Sequence, residues 1–458
     1  MTQPSPNLLF TVLRKQPELI APAKPTPREV KELSDIDDQE GLRFQIPFIQ
    51  FYGSKASMKG KDPVEVIREA LAQTLVFYYP FAGRLREGHG RKLVVDCTGE
   101  GVLFIEADAD VRLQQFGDVL HPPFPCFQEL LHEVPGSQGI TNCPLLLIQV
   151  TRLKCGGFIF AIRLNHSMSD GSGIGKFVNA LAEMANGANE PSIKPVWCRE
   201  LLNARDPPRI SRTHPEYEDV MVENKANGST TPSLNDMVQR CFFFGRTEVA
   251  AIRRLVPKHL GRCTTFEFVI ACMWRSRVRA LQLDPDDDVR FMYAVNINAK
   301  VNPRLPVGYY GNEFVFSGAV TTARKLSENP FGYALELVKN AKTNVDEEFV
   351  RSLTDLMVIK GRPLFATTRS YVVSNTNGAR LDEVDLGWGK PIYGGPAQGG
   401  TAIFSETTSL YFSYKNNKGE YVIVVPISLP AKAMERFEKE LDGMLRNHSQ
   451  PPQISSSL

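Results

Sequence analysis

Residues 164–177 read LNHSMSDGSGIGKF, and their reading decides how the chain is organised. The stretch closes the apolar run CGGFIFAIRLN, in which only Arg163 interrupts the residues from Phe158 to Leu164. A strand buried on both faces carries such a pattern. Beyond the glycines, Ile174, Phe177, Val178, Leu181 and Met184 recur at helical spacing. His166 therefore stands at the mouth of a buried strand, just before a helix, where a rigid element can aim a side chain.

Several chemistries fail on spacing. A phosphate loop ending in Gly175-Lys176 needs Gly at 170 and Ser or Thr at 177, but those positions hold Asp170 and Phe177. The dinucleotide pattern fails because Lys176 occupies its third glycine. There is no H-x-x-x-H, so a metal site is not expected, and the nucleophile pattern G-x-S-x-G is absent. What remains is one imidazole four residues before an Asp. A histidine there is either a structural hydrogen-bonding group or a base for a hydroxyl proton. Asp170 either orients the imidazole, as in a triad, or turns away and fixes the loop.

Working outward, 458 residues exceed one ordinary core and predict two domains of about 200 residues each. The 53 basic and 51 acidic residues leave a net charge of +2, which gives no footprint for nucleic acid. No apolar run approaches the roughly 18 residues of a membrane span, and LLFTVL near the start is too short for a secretory signal. Eight scattered cysteines without a C-x-x-C read as free thiols. A cytoplasmic location is expected. The tail Ser456-Ser457-Leu458 offers a peroxisomal alternative, although it lacks the basic middle residue of that address.

The Pro-, Asn- and Ser-rich stretch 191–235 reads as a crossover between an N-terminal domain (1–190) and a C-terminal domain (236–458). Residues 62–79 predict a helix with Asp62 at its cap, Pro63 in its first turn and Glu65 completing a capping box. KLVVDCTGEGVLFIEA (92–107) predicts a hairpin turning at Thr98–Gly101, and SLYFSYKNNKGEYVIVVPISL (409–429) another about Asn416–Gly419. A helix with Met434, Phe437, Leu441 and Met444 on one face follows. Interspersed helices and hairpins predict an α/β (α+β) protein built on mixed sheets.

Two motifs carry a resemblance. His166-Ser-Met-Ser-Asp170-Gly171 matches H-x-x-x-D-G, and Asp385-Leu-Gly-Trp-Gly389 matches D-F-G-W-G with Leu386 in place of Phe. YYPFAGRL (78–85), TTFEFVIACMWRSRVRAL (264–281) and LPVGYYGN (305–312) extend the match along the chain. Over essentially its whole length the chain resembles the plant BAHD acyl-CoA-dependent acyltransferases. LSDIDDQEGLRFQIPFIQFY (33–52), LNARDPPRI (202–210) and GWGKPIYGGPAQGG (387–400) resemble the alcohol acyltransferase and benzoyl-CoA:benzyl alcohol benzoyltransferase branch.

The resemblance implies a monomer of two chloramphenicol-acetyltransferase-like domains with a channel between them. Acyl-CoA and a small alcohol would be its substrates, with no resident cofactor or metal. It implies His166 as general base and a structural Asp170 paired with an Arg of a V-N-x-R segment. Here that segment reads Val295-Asn296-Ile297-Asn298, so Asn298 stands at the Arg position and Lys300 lies two residues on. Ser374 matches a hydroxyl near the coenzyme or the oxyanion. Thr264 and Thr265 match a hydroxyl pair near the coenzyme, although helix capping accounts for them equally. Asp385, Gly387, Trp388 and Gly389 carry no plausible chemistry, and Trp388 between glycines reads as a packed anchor.

Overall fold

The computed structural model describes residues 8–117, 120–218, 236–400, 406–416 and 419–446. The Ser456–Leu458 tripeptide and crossover residues 219–235 lie outside the described residues.

The strand predicted ahead of His166 forms as Phe158–Asn165, inside a seven-stranded mixed sheet. Its neighbours are Leu146–Leu153 and Gln45–Tyr52, both antiparallel to it. Its two apolar faces have different uses. Phe158, Phe160 and Ile162 pack in a core with helices Pro63–Phe77 and Gly171–Ala185. Ile159 and Ala161 point the other way, into a cluster containing Phe412 and Val424 of the second lobe. One face thus holds the first lobe together, and the other joins the lobes.

The second lobe is built on a six-stranded mixed sheet in the order Met237–Phe244, Tyr421–Pro430, Thr408–Lys415, Ser370–Asn375, Asp288–Asn296 and Phe314–Thr322. Helices Thr265–Leu281, Phe331–Thr343 and Ala431–Arg446 share its core around the fully buried Trp274. The predicted hairpin about Asn416 is present, with Thr408–Lys415 antiparallel to Tyr421–Pro430. Met434, Phe437 and Leu441 of the following helix are buried as its period requires. A small third sheet joins Val30–Glu32, Leu93–Asp96 and Arg84–Glu87.

One expectation is corrected. The predicted 92–107 hairpin does not form, because its strands belong to different sheets. Leu93–Asp96 pairs with Arg84–Glu87, whereas Val102–Ala109 runs parallel to Leu146–Leu153. Between them the Gly101 N–H donates to Ala82 O at 2.9 Å, so the chain swings out of the ladder instead of folding back. Alternation marks the strands but does not choose their partners.

Chain from beyond residue 236 also reaches back into the first lobe. Strand Tyr393–Pro396 leaves the second lobe and pairs antiparallel with Gln45–Tyr52 at the edge of the first sheet. Leu381, Val384, Leu386 and Trp388 lie in the first lobe's core. The crossover, as far as Glu218, is also held down. Arg205 pairs with the buried Asp355 (Nε–Oδ2 2.7 Å), and His214 Nε2 meets Ser352 Oγ at 2.9 Å.

Candidate active site

His166 follows its strand directly, and its backbone N–H donates to Phe44 O at 2.8 Å. The side chain is partly buried and lines a cavity of about 190 Å³ between the lobes. Leu42, Phe44, Phe314, Phe316 and Phe365 supply an apolar wall. Ser374, Asn296 and Thr408 supply polar groups on the second-lobe side. The Phe44 ring lies 5.1 Å from the imidazole and the Phe314 ring 6.0 Å from it. Burial holds the imidazole pKa below its ordinary value, and the hydrogen bond to Asn312 and the charge of Asp37 oppose the shift only in part. At neutral pH the ring is therefore in its basic form.

The partner of the imidazole is not Asp170. His166 Nδ1 sits 3.1 Å from Asn312 Oδ1. The Asn312 Nδ2 donates to Asp37 Oδ1 at 2.8 Å and to His166 O at 2.9 Å, and the Asn312 backbone N–H donates to Asp37 Oδ1 at 2.9 Å. This arrangement decides a tautomer. A carboxylate and a carbonyl can only accept, so the amide nitrogen must face them and the amide oxygen must face the ring. Nδ1 then carries the proton, and Nε2 keeps its lone pair.

Asp37 is fully buried and is itself held by Arg199, whose Nη1 donates to Oδ2 at 2.7 Å. Arg199 Nη2 donates to Met168 O at 2.8 Å, and its guanidinium lies 4.5 Å from the Trp197 ring centre. Removing one member of such a buried pair strands the other charge and costs about 3–5 kcal/mol. A residue of the crossover, one of the first lobe and one from the far half of the chain thus converge on one imidazole.

Asp170 turns away from the ring. One oxygen accepts the Gly173 N–H at 2.9 Å as the N-cap of helix Gly171–Ala185, and the other accepts the Glu313 N–H at 2.9 Å. Its pKa is raised, first by burial and then by the Glu313 carboxylate. Asn298 does not replace the expected Arg at Asp170. Its Nδ2 donates to Glu313 Oε2 at 3.2 Å, while Lys300 Nζ donates to Val345 O at 2.6 Å. Lys176, 3.6 Å from Glu313, supplies a positive charge that opposes the rise.

The remaining expected residues fall in three places. Ser374 lines the His166 cavity. Thr264 caps helix Thr265–Leu281 in a reciprocal box with Glu267, and neither Thr264 nor Thr265 lines the cavity. Asp385 closes a turn, its Oδ1 accepting the Gly387 and Gly389 N–H groups at 2.8 and 2.7 Å. Gly387 and Gly389 have φ of +104° and +88°, which a side chain would resist. Trp388 packs edge-on to Phe158 at 5.1 Å.

A model of the Transferase family matches residues 10–444. The chain belongs to the Transferase family. It is 62% identical over 442 residues to a benzyl alcohol O-benzoyltransferase of Nicotiana tabacum, covering 96% of this chain and 95% of that one. It is 53% identical over 464 residues to a 13-hydroxylupanine O-tigloyltransferase of Lupinus albus, covering all of both chains. The crystal structure of vinorine synthase shares the fold at a TM-score of 0.70, with 21% identity over 95% of this chain and 98% of that one. The resemblance read from the two motifs is borne out, and this member of the Transferase family is an acyltransferase.

Asn312, Asp37 and Arg199 were not singled out as chemistry by sequence reasoning. Asn312 ends LPVGYYGN and Asp37 lies in LSDIDD, both within segments that carry the resemblance. Nothing local to either shows that they meet.

Proposed function

We propose that this chain transfers the benzoyl group of benzoyl-CoA to benzyl alcohol, with His166 as general base. The supporting observation is the imidazole itself, neutral at working pH, on the wall of an aromatic cavity, with Nδ1 tied to Asn312 and its lone pair on Nε2. The relative's name supplies the acyl group and the alcohol.

In this scheme Nε2 takes the hydroxyl proton as the alcohol oxygen attacks the thioester carbonyl. The tetrahedral oxyanion collapses, the carbon–sulfur bond breaks, and the imidazolium returns its proton to the departing thiolate. Ester and free CoA leave. Asn312 accepts from Nδ1 throughout and favours the cationic ring as it forms. Ser374 is the hydroxyl on the cavity wall proposed to donate to the oxyanion. General-base help is worth roughly 10²–10⁴-fold, and holding both substrates in one cavity adds the advantage of a positioned encounter.

The test is thiol release from benzoyl-CoA with benzyl alcohol, alongside identification of benzyl benzoate. Absence of that ester, with rapid esterification of another alcohol, would replace the acceptor. Absence of thiol release with any alcohol would remove the activity.

A further inference from the structure

Asn312, which orients the imidazole, belongs to a short segment that is itself held down. Residues 309–313 lie against the first turns of helix Gly171–Ala185. The approach is close, since a Cβ at Gly173 would sit 2.4 Å from Tyr310 O. A residue with a side chain would push the segment off the helix. Three residues on, Lys176 closes over the same segment. Its Nζ donates to Tyr309 O at 2.6 Å and lies 3.6 Å from Glu313 Oε2. Tyr309 and Glu313 bracket Asn312, so one ammonium holds both ends of the segment.

Charge makes this grip matter. Glu313 and Asp170 are both buried. The Glu313 N–H donates to Asp170 Oδ2 at 2.9 Å, which brings two carboxyl groups together next to Asn312. Their charges oppose each other, and after burial the Glu313 carboxylate is the next cause that raises the Asp170 pKa. A buried carboxylate is costly unless a cation accompanies it. Asn296 Nδ2 and Asn298 Nδ2 donate to Glu313 at 3.0 and 3.2 Å, but amides bring no net charge. Among the described residues, Lys176 is the cation with which Glu313 pairs. Its side chain is mostly buried, so water screens the pair little. One turn back along the helix, Ser172 lines the His166 cavity.

We infer that Lys176 is a positioning residue for the base. Through Tyr309 O and the Glu313 carboxylate it fixes Asn312, and through Asn312 it fixes the imidazole with its proton on Nδ1. Without the ammonium, the paired carboxylates loosen the segment from the helix and Asn312 moves with it. The kinetic consequence rests on the acyl-transfer reading above, whereas the state of the ring can be read without turnover.

The experiment measures kcat and KM for benzyl alcohol and benzoyl-CoA in the wild type, Lys176→Met, Lys176→Arg and Lys176→Met/Asn298→Arg. NMR of isotope-labelled histidine reads the His166 ring, assigned as the signals missing from His166→Ala. In Lys176→Met, kcat falls at least about fivefold with both KM values little changed, because a small displacement caused far from the chemistry can cost up to about 10²-fold. The His166 ring signals move away from those of a single Nδ1–H tautomer. Lys176→Arg keeps the wild-type rate and signals. Asn298→Arg, which brings a cation to the same Glu313 oxygen from the opposite side, recovers part of the lost rate. A smaller fall in kcat, or ring signals that stay in place in Lys176→Met, overturns the assignment. Ring signals that move, with no recovery by Asn298→Arg, overturn the part given to charge. Should Lys176→Met fail to fold, Lys176→Gln, which keeps a donor for Tyr309 O and drops the charge, is held to the same criteria. If the wild type releases no thiol with any alcohol, the acyl-transfer reading falls, and the ring signals alone decide the role of Lys176.

Discussion

The two motifs stand at opposite ends of one strand. Phe158–Asn165 delivers His166 at its end and receives Trp388 against its first residue, Phe158. Eight residues at about 3.3 Å each separate them by more than 20 Å. In both motifs an Asp accepts two backbone N–H groups, Asp385 within its own turn and Asp170 at a helix cap and from the distant Glu313. The motifs differ in what the turn presents. One aims an imidazole into a cavity, and the other folds an indole into a core. A conspicuous acidic residue is therefore a poor marker of chemistry, and the group it leaves facing open space is the better one.

Changes at each end of the strand can break this comparison. The largest effect is expected from His166→Ala, with kcat/KM for benzyl alcohol falling at least about 10²-fold and the melting temperature nearly unchanged. Activity close to wild type would show that the cavity works without its base. At the other end, Trp388→Ala should behave in the opposite way. It is expected to cost about 3–5 kcal/mol of stability, seen in denaturant titration, while kcat per folded molecule at low temperature stays within about twofold.

Asn312→Ala sharpens the comparison by removing the tie on Nδ1 without touching the base. The rate should fall roughly 10- to 100-fold, by analogy with the partners that orient metal-bound imidazoles, with KM little changed. Asp170→Ala should cost about 1–3 kcal/mol through the lost cap and the unpaired Glu313 N–H. Its effect on kcat should be much smaller than that of His166→Ala, and comparable losses would restore Asp170 to the chemistry.

The smallest effect lies in the pH profile. Burial lowers the His166 pKa, so the neutral ring persists below pH ~6.5, the ordinary imidazole value. The acid limb of kcat/KM should fall below that point. The same shift makes acid unfold the protein more readily, because the unfolded chain takes up this proton first.

Local pattern made part of this legible. The strand and helix around His166, the hairpin about Asn416 and the helix through Phe437 follow from apolar period and turn residues. Trp388 between glycines was readable as a packed anchor, whereas the bonds of Asp385 to the Gly387 and Gly389 N–H groups were not. The failed 92–107 hairpin shows the limit, for its strands form but their partners lie elsewhere. The ties behind the base were invisible for the same reason. His166 and Asn312 are 146 residues apart, and Asp37 and Arg199 are 162 apart. The missing Arg misled in a subtler way, because Asn298 turns to Glu313 and leaves Asp170 held by backbone groups alone.

Strand Tyr393–Pro396 has a consequence for how the molecule is made. The first sheet forms most of its ladders within the opening 165 residues, yet its last edge is closed by a segment whose neighbour Leu381 bonds Gln50 across 331 positions. During synthesis, Gln45–Tyr52 must wait with one margin unzipped until nearly the whole polypeptide has left the ribosome. A truncated transcript ending before residue 393 would yield a chain with a sticky border rather than an independent half.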